Sequence, residues 1–261
     1  MINLRPETLF SCKGQVAVIT GGATGIGRAC AEALGAAGAQ VVIIGPSDTH
    51  PCQVAEELST HGGTFEGAVC DVTNDAQLQD VITGLITKFG RIDTVLANAG
   101  VALDPPGGTT LEQLAAMDRM YQIHTRSVVH LAELVLPTMA QIGGGSMMVM
   151  SSLAGLRGNR VLSGYGVTKA ANAQIARNLA VQWGQQQIRV NALSPGVIST
   201  EFARPITTDA ETASVRLAKT PLGRFGTPHE VAGAVVWLAS PAGAFVSGQN
   251  IVIDGGTLVM D

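Results

Sequence analysis

The stretch TGGATGIG, residues 20–27, joins a short apolar run to a helical pattern. QVAVIT (15–20) before it is typical of a buried β-strand, and GRACAEALGAAG after it is typical of a helix. Gly21, Gly25 and Gly27 follow the spacing G-x-x-x-G-x-G, and glycines let backbone amides approach a phosphate group at a helix N-terminus. The stretch therefore predicts a pyrophosphate-binding turn, with a plain strand-to-helix turn as the alternative.

Apolar runs and helical patterns alternate along the whole chain. Runs that are apolar on both faces, separated by helices, are typical of a parallel sheet covered on both sides. We therefore expect an α/β protein with a single domain over residues 1–261, a doubly wound, Rossmann-like parallel sheet with helices on both faces, which binds ligands at the carboxyl ends of its strands. The predicted strands are 15–20, 39–44, 65–72, 94–100, 146–152, 188–193 and 249–256, and the predicted helices are 27–38, 52–62, 75–89, 111–142, 165–183 and 229–239.

Composition and charge limit the classes of partner. Charged residues make up only 14% of the chain, the net charge is −4, and lysine and arginine form no cluster. We therefore expect neither nucleic acid nor an anionic membrane surface as a partner. The most apolar helical stretch, SVVHLAELVLPTM, contains His130, Glu133 and Pro137, which argue against a membrane span.

The cysteines and the N-terminal residues suggest a compartment. Cys12, Cys30, Cys52 and Cys70 show neither C-x-x-C spacing nor a companion histidine at ligand distance, so we expect buried or partly buried thiols and no metal site. The N-terminal residues lack the continuous apolar segment of a signal peptide. Both observations favour the cytoplasm.

The segment SGYGVTK, residues 163–169, places a tyrosine and a lysine four positions apart at the start of a predicted helix. Side chains with this spacing lie on one helical face. One interpretation is an aromatic ring half in the core beside an amine that reaches solvent. The other is a chemical pair, in which the ammonium of Lys169 favours the phenolate of Tyr165, because an unperturbed tyrosine pKa of about 10 is too high for proton exchange near pH 7.

The chain contains six short motifs, which are, in order, TGGATGIG (20–27), ANAG (97–100), Ser152, YGVTK (165–169), PGVIST (195–200) and DGG (254–256). In this order and separation they resemble the short-chain dehydrogenase/reductase family over nearly the whole chain. The resemblance implies a nicotinamide cofactor and hydride transfer between that cofactor and a small-molecule ketone or secondary alcohol. It also implies assembly as a homotetramer or homodimer.

The resemblance assigns three catalytic roles. Tyr165 is implied as the general acid/base, Lys169 as the cation that tunes it and binds the nicotinamide ribose, and Ser152 as the anchor of the substrate oxygen. A hydroxyl just past a strand suits that last role, because it can hold a carbonyl within reach of a hydride.

Other classes of function fit this set of residues less well. A non-catalytic dinucleotide sensor, the main alternative, has no need of a serine, a tyrosine and a lysine together. A dehalogenase-like relative usually lacks the lysine and the glycine-rich turn. An enoyl reductase of related fold normally has a longer gap between tyrosine and lysine.

One position departs from the family pattern. Family members commonly carry an asparagine in the helix after NAG, where it bends the backbone around a water molecule and extends a proton relay. MDRMYQIHTRSVVHL carries His124 there. Either its neutral imidazole, which can both donate and accept, takes over the relay, or His124 is a helix residue bonded to a backbone carbonyl with no part in proton transfer.

The end of the second strand bears on the choice of dinucleotide. Gly45 stands where NAD-dependent members of the family place an acidic residue for the adenosine ribose, and Asp48 comes three positions later. The positions where NADP-dependent members place arginine or lysine hold Thr24 and Pro46, which leaves Ser47, Thr49 and His50 as weaker phosphate ligands. The pattern favours NADP and leaves NAD open.

The family motifs also mark the rest of the cleft. Segment 199–220 has the least pattern, and we expect it to form a mobile lid, while 101–108 is a candidate pocket wall. The expected cofactor-binding residues are Gly21, Thr24, Gly25, Ile26, Gly27, Ser47, Asp71, Val72, Asn98, Ala99, Gly100, Tyr165, Lys169, Pro195, Gly196, Ile198 and Thr200.

Overall fold

A parallel β-sheet forms the centre of the molecule. The computed structural model describes residues 4–103, 110–159 and 163–260. Its strands follow the order β3-β2-β1-β4-β5-β6-β7, and every neighbouring pair is parallel. The strands are β1 Val16–Thr20, β2 Gln40–Gly45, β3 Thr64–Val69, β4 Thr94–Ala97, β5 Gly145–Met150, β6 Ile188–Pro195 and β7 Asn250–Ile253. The strand order reverses between β1 and β4, and this is where a doubly wound sheet opens a ligand crevice.

The helices cover both faces of the sheet, which confirms the predicted doubly wound, Rossmann-like fold. Side chains of α2, α3 and α10 pack in one apolar core, and those of α4, α6 and α7 pack in the other. Strand β1 supplies Ile19 to the first core and Val18 to the second, as the alternation of side chains along a strand requires. The helices are α1 Pro6–Leu9, α2 Gly25–Ala36, α3 Pro51–Thr60, α4 Asp75–Phe89, α5 Thr110–Tyr121, α6 Ser127–Gln141, α7 Ser163–Trp183, α8 Arg204–Thr207, α9 Ala210–Leu217 and α10 Pro228–Ala239.

Two regions differ from the sequence prediction. The helix expected over 111–142 is divided by a π-helical turn at Gln122–Arg126, in which the Ser127 hydroxyl donates to the Ile123 carbonyl oxygen at 2.5 Å. Segment 199–220 is not irregular, since it contains α8 and α9, and Asp209 caps α9 by accepting from the Thr212 amide at 2.8 Å. Local capping therefore supplied structure that the hydrophobic pattern does not show.

Two further features bear on the expected setting of the protein. Within the described parts of the chain, no helix combines the length and apolar character that a bilayer span needs. Cys12, Cys30 and Cys70 are buried, whereas Cys52 is exposed, so the expectation of burial was wrong for that one thiol.

Candidate active site

The glycine turn between β1 and α2 leaves a helix N-terminus open. Gly21 has a φ of +65°, and a Cβ there would lie 2.9 Å from the Ala99 Cα; a Cβ on Gly27 would overlap the Gly21 carbonyl oxygen. Thr24 occupies the N-cap position of α2 without a side-chain hydrogen bond to the first turn. The amides of that turn are therefore available to a ligand, and a pyrophosphate is the ligand that such an end suits.

A cleft of about 490 Å³ runs along the carboxyl ends of the strands beside this turn. Asn98 holds its two walls together, because its side-chain amide donates to the Gly21 carbonyl at 3.0 Å and its backbone amide donates to the Thr20 hydroxyl at 3.1 Å. The cleft brings together most of the predicted cofactor residues, namely Gly21, Thr24, Gly25, Ile26, Asp71, Val72, Asn98, Ala99, Gly100, Tyr165, Lys169 and Thr200. Its size, lining and open helix end fit an extended dinucleotide.

Five predicted cofactor residues do not line this cleft: Gly27, Ser47, Pro195, Gly196 and Ile198. Gly27 packs under the turn, and Gly196 packs against Asp254, where a Cβ would lie 2.9 Å from the Asp254 Cα. Ile198 pairs with Gly226 and lines a separate cavity of about 110 Å³. These glycines support the cleft by allowing close packing.

The end of the cleft beside β2 contains two residues that the sequence analysis did not assign to cofactor binding, Asp48 and Arg119. After β2, Ser47–Thr49 form a 3-10 turn, which brings Asp48 to the cleft. Of the three expected phosphate ligands, Thr49 lines the cleft, whereas Ser47 and His50 do not. Across the cleft, the Arg119 guanidinium bonds the Thr73 hydroxyl at 3.0 Å and pairs with the Asp71 carboxylate at 3.4 Å. A signal for the turn was present in Pro46, Ser47 and Asp48, which are typical turn residues.

The predicted catalytic group assembles where β5 meets α7. Tyr165 lines the cleft and its hydroxyl is hydrogen-bonded to the Ser152 hydroxyl, which follows β5. Lys169 is buried one helical turn further along α7, with its Nζ donating to the Met150 carbonyl at 3.0 Å. That Nζ lies 5.5 Å from the centroid of the Tyr165 ring. The phenol and the amine therefore face each other at the wall of the cleft.

Burial dominates the protonation of this pair. It raises the pKa of Tyr165 to about 12, with the hydrogen bond from Ser152 opposing the rise, and it lowers the pKa of Lys169 to about 7. The expectation that Lys169 lowers the tyrosine pKa stays a prediction for the cofactor-bound protein; without cofactor, burial sets the direction of both shifts, because desolvation disfavours both charged forms. At neutral pH the phenol is protonated and ready to donate.

His124 lies in the π-helical turn, fully buried, and packs edge-on against the Tyr165 ring at 5.5 Å between ring centroids. Its Nε2 accepts from the Val101 backbone amide at 3.0 Å, and its Nδ1 lies 2.8 Å from the Thr168 hydroxyl. Burial, and secondarily the charge of Lys169, lower the pKa of His124 to about 3. The imidazole is therefore neutral, and both of its ring nitrogens are engaged.

The lid candidate and the candidate pocket wall meet the cleft only in part. Thr200, Glu201 and Phe202 line it, and the base of the 199–220 segment is fixed where the Ser199 amide donates to the Gly226 carbonyl at 2.8 Å. Val101 lines the cleft, whereas residues 104–108 of the candidate wall 101–108 lie outside the described residues.

Comparison with known proteins agrees with this geometry. A family model described as Enoyl-(Acyl carrier protein) reductase matches residues 21–257. A tropinone reductase homolog of Arabidopsis thaliana is 37% identical over 253 residues, which cover 96% of each chain. The 7alpha-hydroxysteroid dehydrogenase of Escherichia coli is 34% identical over 243 residues, covering 93% of this chain and 94% of the relative.

Solved structures give the same result. A 7 alpha-hydroxysteroid dehydrogenase complexed with NADH and 7-oxo glycochenodeoxycholic acid has a TM-score of 0.90, with 32% identity and 98% of both chains covered. The NADPH-dependent 3-quinuclidinone reductase of Rhodotorula rubra has a TM-score of 0.91, with 29% identity and coverage of 99% of this chain and 97% of that one. The protein described here belongs to the short-chain dehydrogenase/reductase family of NAD(P)-dependent oxidoreductases.

Proposed function

We propose that this oxidoreductase interconverts ketones and secondary alcohols, with Tyr165 as general acid/base, Ser152 as the anchor of the substrate oxygen and Lys169 as the neighbouring amine that binds the nicotinamide ribose. The observation that carries the proposal is the contact between the Tyr165 and Ser152 hydroxyls at the wall of the cleft, one helical turn from the Lys169 amine. Two hydroxyls at one point can bind and protonate one oxygen atom.

In the reducing direction, the Ser152 and Tyr165 hydroxyls hold the carbonyl oxygen and polarise the C=O bond. A bound nicotinamide cofactor would supply the hydride for the carbonyl carbon, and its oxidised form would carry a positive charge. Tyr165 donates its proton to the developing alkoxide, which gives the alcohol. Its high pKa keeps the phenol protonated at neutral pH, which is the form that reduction needs. Oxidation reverses each step.

The cofactor would lie along the glycine turn. The open amides at the start of α2 suit the pyrophosphate, and Asp71, Val72 and Asn98, which line the cleft, would flank the adenosine. A preference for NADP stays a prediction from Gly45. Asp48 acts against it, because a carboxylate at the same end of the cleft disfavours a 2′-phosphate.

The substrate end of the cleft supports a ketone with an apolar body. Val101, Ile123, Met150 and Phe202 line the cleft together with Tyr165, and the Phe202 ring lies 6.2 Å from the Tyr165 ring. The names of the relatives include tropinone, 3-quinuclidinone and a 7alpha-hydroxysteroid. We therefore expect cyclic ketones as substrates, with the 199–220 segment closing over them as a lid.

Assembly as a homotetramer or homodimer, in the cytoplasm, completes the proposal. Exposed apolar side chains on the outer surface of consecutive helices support association, with Leu114 at 52%, Val129 at 43% and Val181 at 85% exposure. The free thiols of Cys12, Cys30 and Cys70 support a reducing compartment. Light scattering coupled to size-exclusion chromatography measures the oligomer directly.

The test is a panel of cyclic and acyclic ketones, the matching secondary alcohols and an enoyl thioester, assayed by nicotinamide absorbance with NADH and NADPH. We expect ketone reduction in wild type and a loss of about 10³-fold or more in Tyr165→Phe, with cofactor affinity kept in a fluorescence titration. Full activity in Tyr165→Phe contradicts the mechanism. Tight cofactor binding with no turnover on any substrate favours the dinucleotide sensor instead.

A further inference from the structure

His124 connects three elements that surround the catalytic tyrosine. It is carried by the π-helical turn Gln122–Arg126, it accepts from the Val101 amide in the loop after β4, and it contacts Thr168 on α7. A Cβ on Gly100 would lie 3.4 Å from its Nε2, so the loop packs directly on the ring. The imidazole therefore spans the space between a cofactor wall and the helix that carries Tyr165 and Lys169.

The direction of each hydrogen bond follows from the chemistry of the partners. A backbone amide can only donate, so the Nε2 that faces Val101 must carry the lone pair. In a neutral imidazole the proton then resides on Nδ1, which donates to the Thr168 hydroxyl at 2.8 Å. Thr168 in turn donates to the Tyr165 backbone carbonyl at 2.8 Å. The chain of donors and acceptors is complete and has one direction.

We propose that His124 is a positioning residue that works only as the neutral, Nδ1-protonated tautomer and fixes Tyr165 against the 98–101 loop, with no place in the proton route. This inference rests on the proposed function, because it takes Tyr165 as the group to be positioned. A relay would need a ring nitrogen that exchanges protons with Lys169 or a water, and the Val101 amide already occupies Nε2. The π-helical turn accounts for the placement, since its extra residue per turn widens the helix at this point.

The first experiment reads the tautomer without a variant. In ¹⁵N-histidine-labelled enzyme bound to NADPH, we expect one histidine with a protonated Nδ1 and a bare Nε2 whose signals do not titrate between pH 5 and 9. His124→Gln identifies that signal by its disappearance. A bare Nδ1, or a titration inside that range, overturns the proposal. Neither result depends on turnover, so an inactive enzyme leaves this experiment valid.

The second experiment separates positioning from proton transfer. We expect His124→Ala and Thr168→Val each to lower kcat by roughly 10- to 100-fold, since small misplacements of a reacting group have effects of that size. The double variant should be no worse than the worse single variant, and Thr168→Ser, which keeps the hydroxyl, should recover most of the rate. The pH profile of kcat should keep its shape in every variant.

Ser240→Ala is the matched control, because it also removes a buried hydroxyl that donates to a backbone carbonyl, that of Trp237 at 3.0 Å, but at the end of α10 and not in the lining of the cleft. It should lower the melting temperature and leave kcat unchanged. A pH profile that moves by a full unit in His124→Ala, or a Thr168→Val enzyme with wild-type kcat, contradicts the positioning role. If Tyr165→Phe is fully active, the proposed function fails while the tautomer assignment still stands.

Discussion

The glycine turn and the serine–tyrosine–lysine group face the same cleft but depend on opposite features of their residues. At the turn, Gly21 and Gly27 matter because they lack side chains, and the ligand is offered backbone amides. At the end of β5, Ser152, Tyr165 and Lys169 matter because of single side-chain atoms held in a buried setting. The glycine turn, which we call the backbone wall, therefore tolerates changes that keep its amides open. The serine–tyrosine–lysine group, which we call the chemical wall, tolerates no change in chemistry.

After Tyr165→Phe, the largest expected effect is at the chemical wall. Ser152→Ala should lower kcat by roughly 10²- to 10³-fold and leave the cofactor dissociation constant unchanged, because it removes one of the two groups that would bind the substrate oxygen. Stopped-flow ketone reduction and a fluorescence titration measure the two quantities. Ser146→Ala, which loses a buried bond to the Leu238 carbonyl at the other end of β5, is the control. Equal losses of kcat in both variants would mean that only the strand was disturbed.

The next largest effect is expected at the backbone wall, where cofactor binding should be lost and kcat largely kept. Gly27→Ala should weaken cofactor binding by about 100-fold, because the added methyl overlaps the Gly21 carbonyl and displaces the turn. At saturating cofactor, kcat should change much less. Gly84→Ala is the matched control, since nothing lies within 4 Å of a Cβ there, and it should leave binding intact. Unchanged cofactor binding in Gly27→Ala would contradict a role for this glycine turn in holding the pyrophosphate.

Sequence patterns predict where these two walls lie, but they do not predict the protonation of the groups in the chemical wall. The glycine spacing, the strand ends and the four-residue separation of Tyr165 and Lys169 are local, so the fold and the two walls were predictable from sequence. Desolvation is not local. The pKa of Lys169 depends on its burial between β5 and α7, and sequence reasoning credited it with a full positive charge that burial opposes.

Two other features were not predicted for a different reason, the geometry of a single turn. The π-helical turn at Gln122–Arg126 lies where family members bend the backbone, but hydrophobic periodicity alone predicts one continuous helix over 111–142. The 3-10 turn at Ser47–Thr49 follows a proline and brings Asp48 to the cleft, although its distance along the chain from Gly45 suggests otherwise. In both cases a turn that is tighter or wider than an α-helical turn brings a side chain to the site, although its position in the sequence suggests that it lies elsewhere.

A third prediction concerns the stability of the chemical wall. Lys169 has a pKa near 7 in the folded protein and about 10.4 when unfolded, so between these values the unfolded chain binds the extra proton. This group therefore makes wild type gain stability as pH rises from 7 towards 9.5. Lys169→Met removes the penalty, and Asn172 still donates to the Met150 carbonyl.

We expect Lys169→Met, without cofactor, to be more stable than wild type at pH 7 by roughly 1–2 kcal/mol, or about 3–6 °C in Tm, after allowing for relaxation of the amine towards the cleft. The difference should shrink by pH 9.5. Calorimetry at the two pH values measures it. A difference that is constant with pH would show that the methionine acts through packing alone.

The smallest expected effect tests whether one side chain near the backbone wall contributes to the choice between NADPH and NADH. Asp48 lines the adenosine end of the cleft, where a negative charge disfavours the 2′-phosphate of NADPH but not the hydroxyl of NADH. Asp48→Asn should therefore raise the ratio of kcat/KM for NADPH to that for NADH by about 3- to 10-fold, the size of one partly screened charge interaction. Asp80→Asn removes the same charge from the exposed face of α4 and should leave the ratio unchanged. If both variants shift the ratio equally, net charge is the cause. If neither does, the choice of dinucleotide belongs to the backbone at Gly45, and the contrast between the two walls holds along the full length of the cleft.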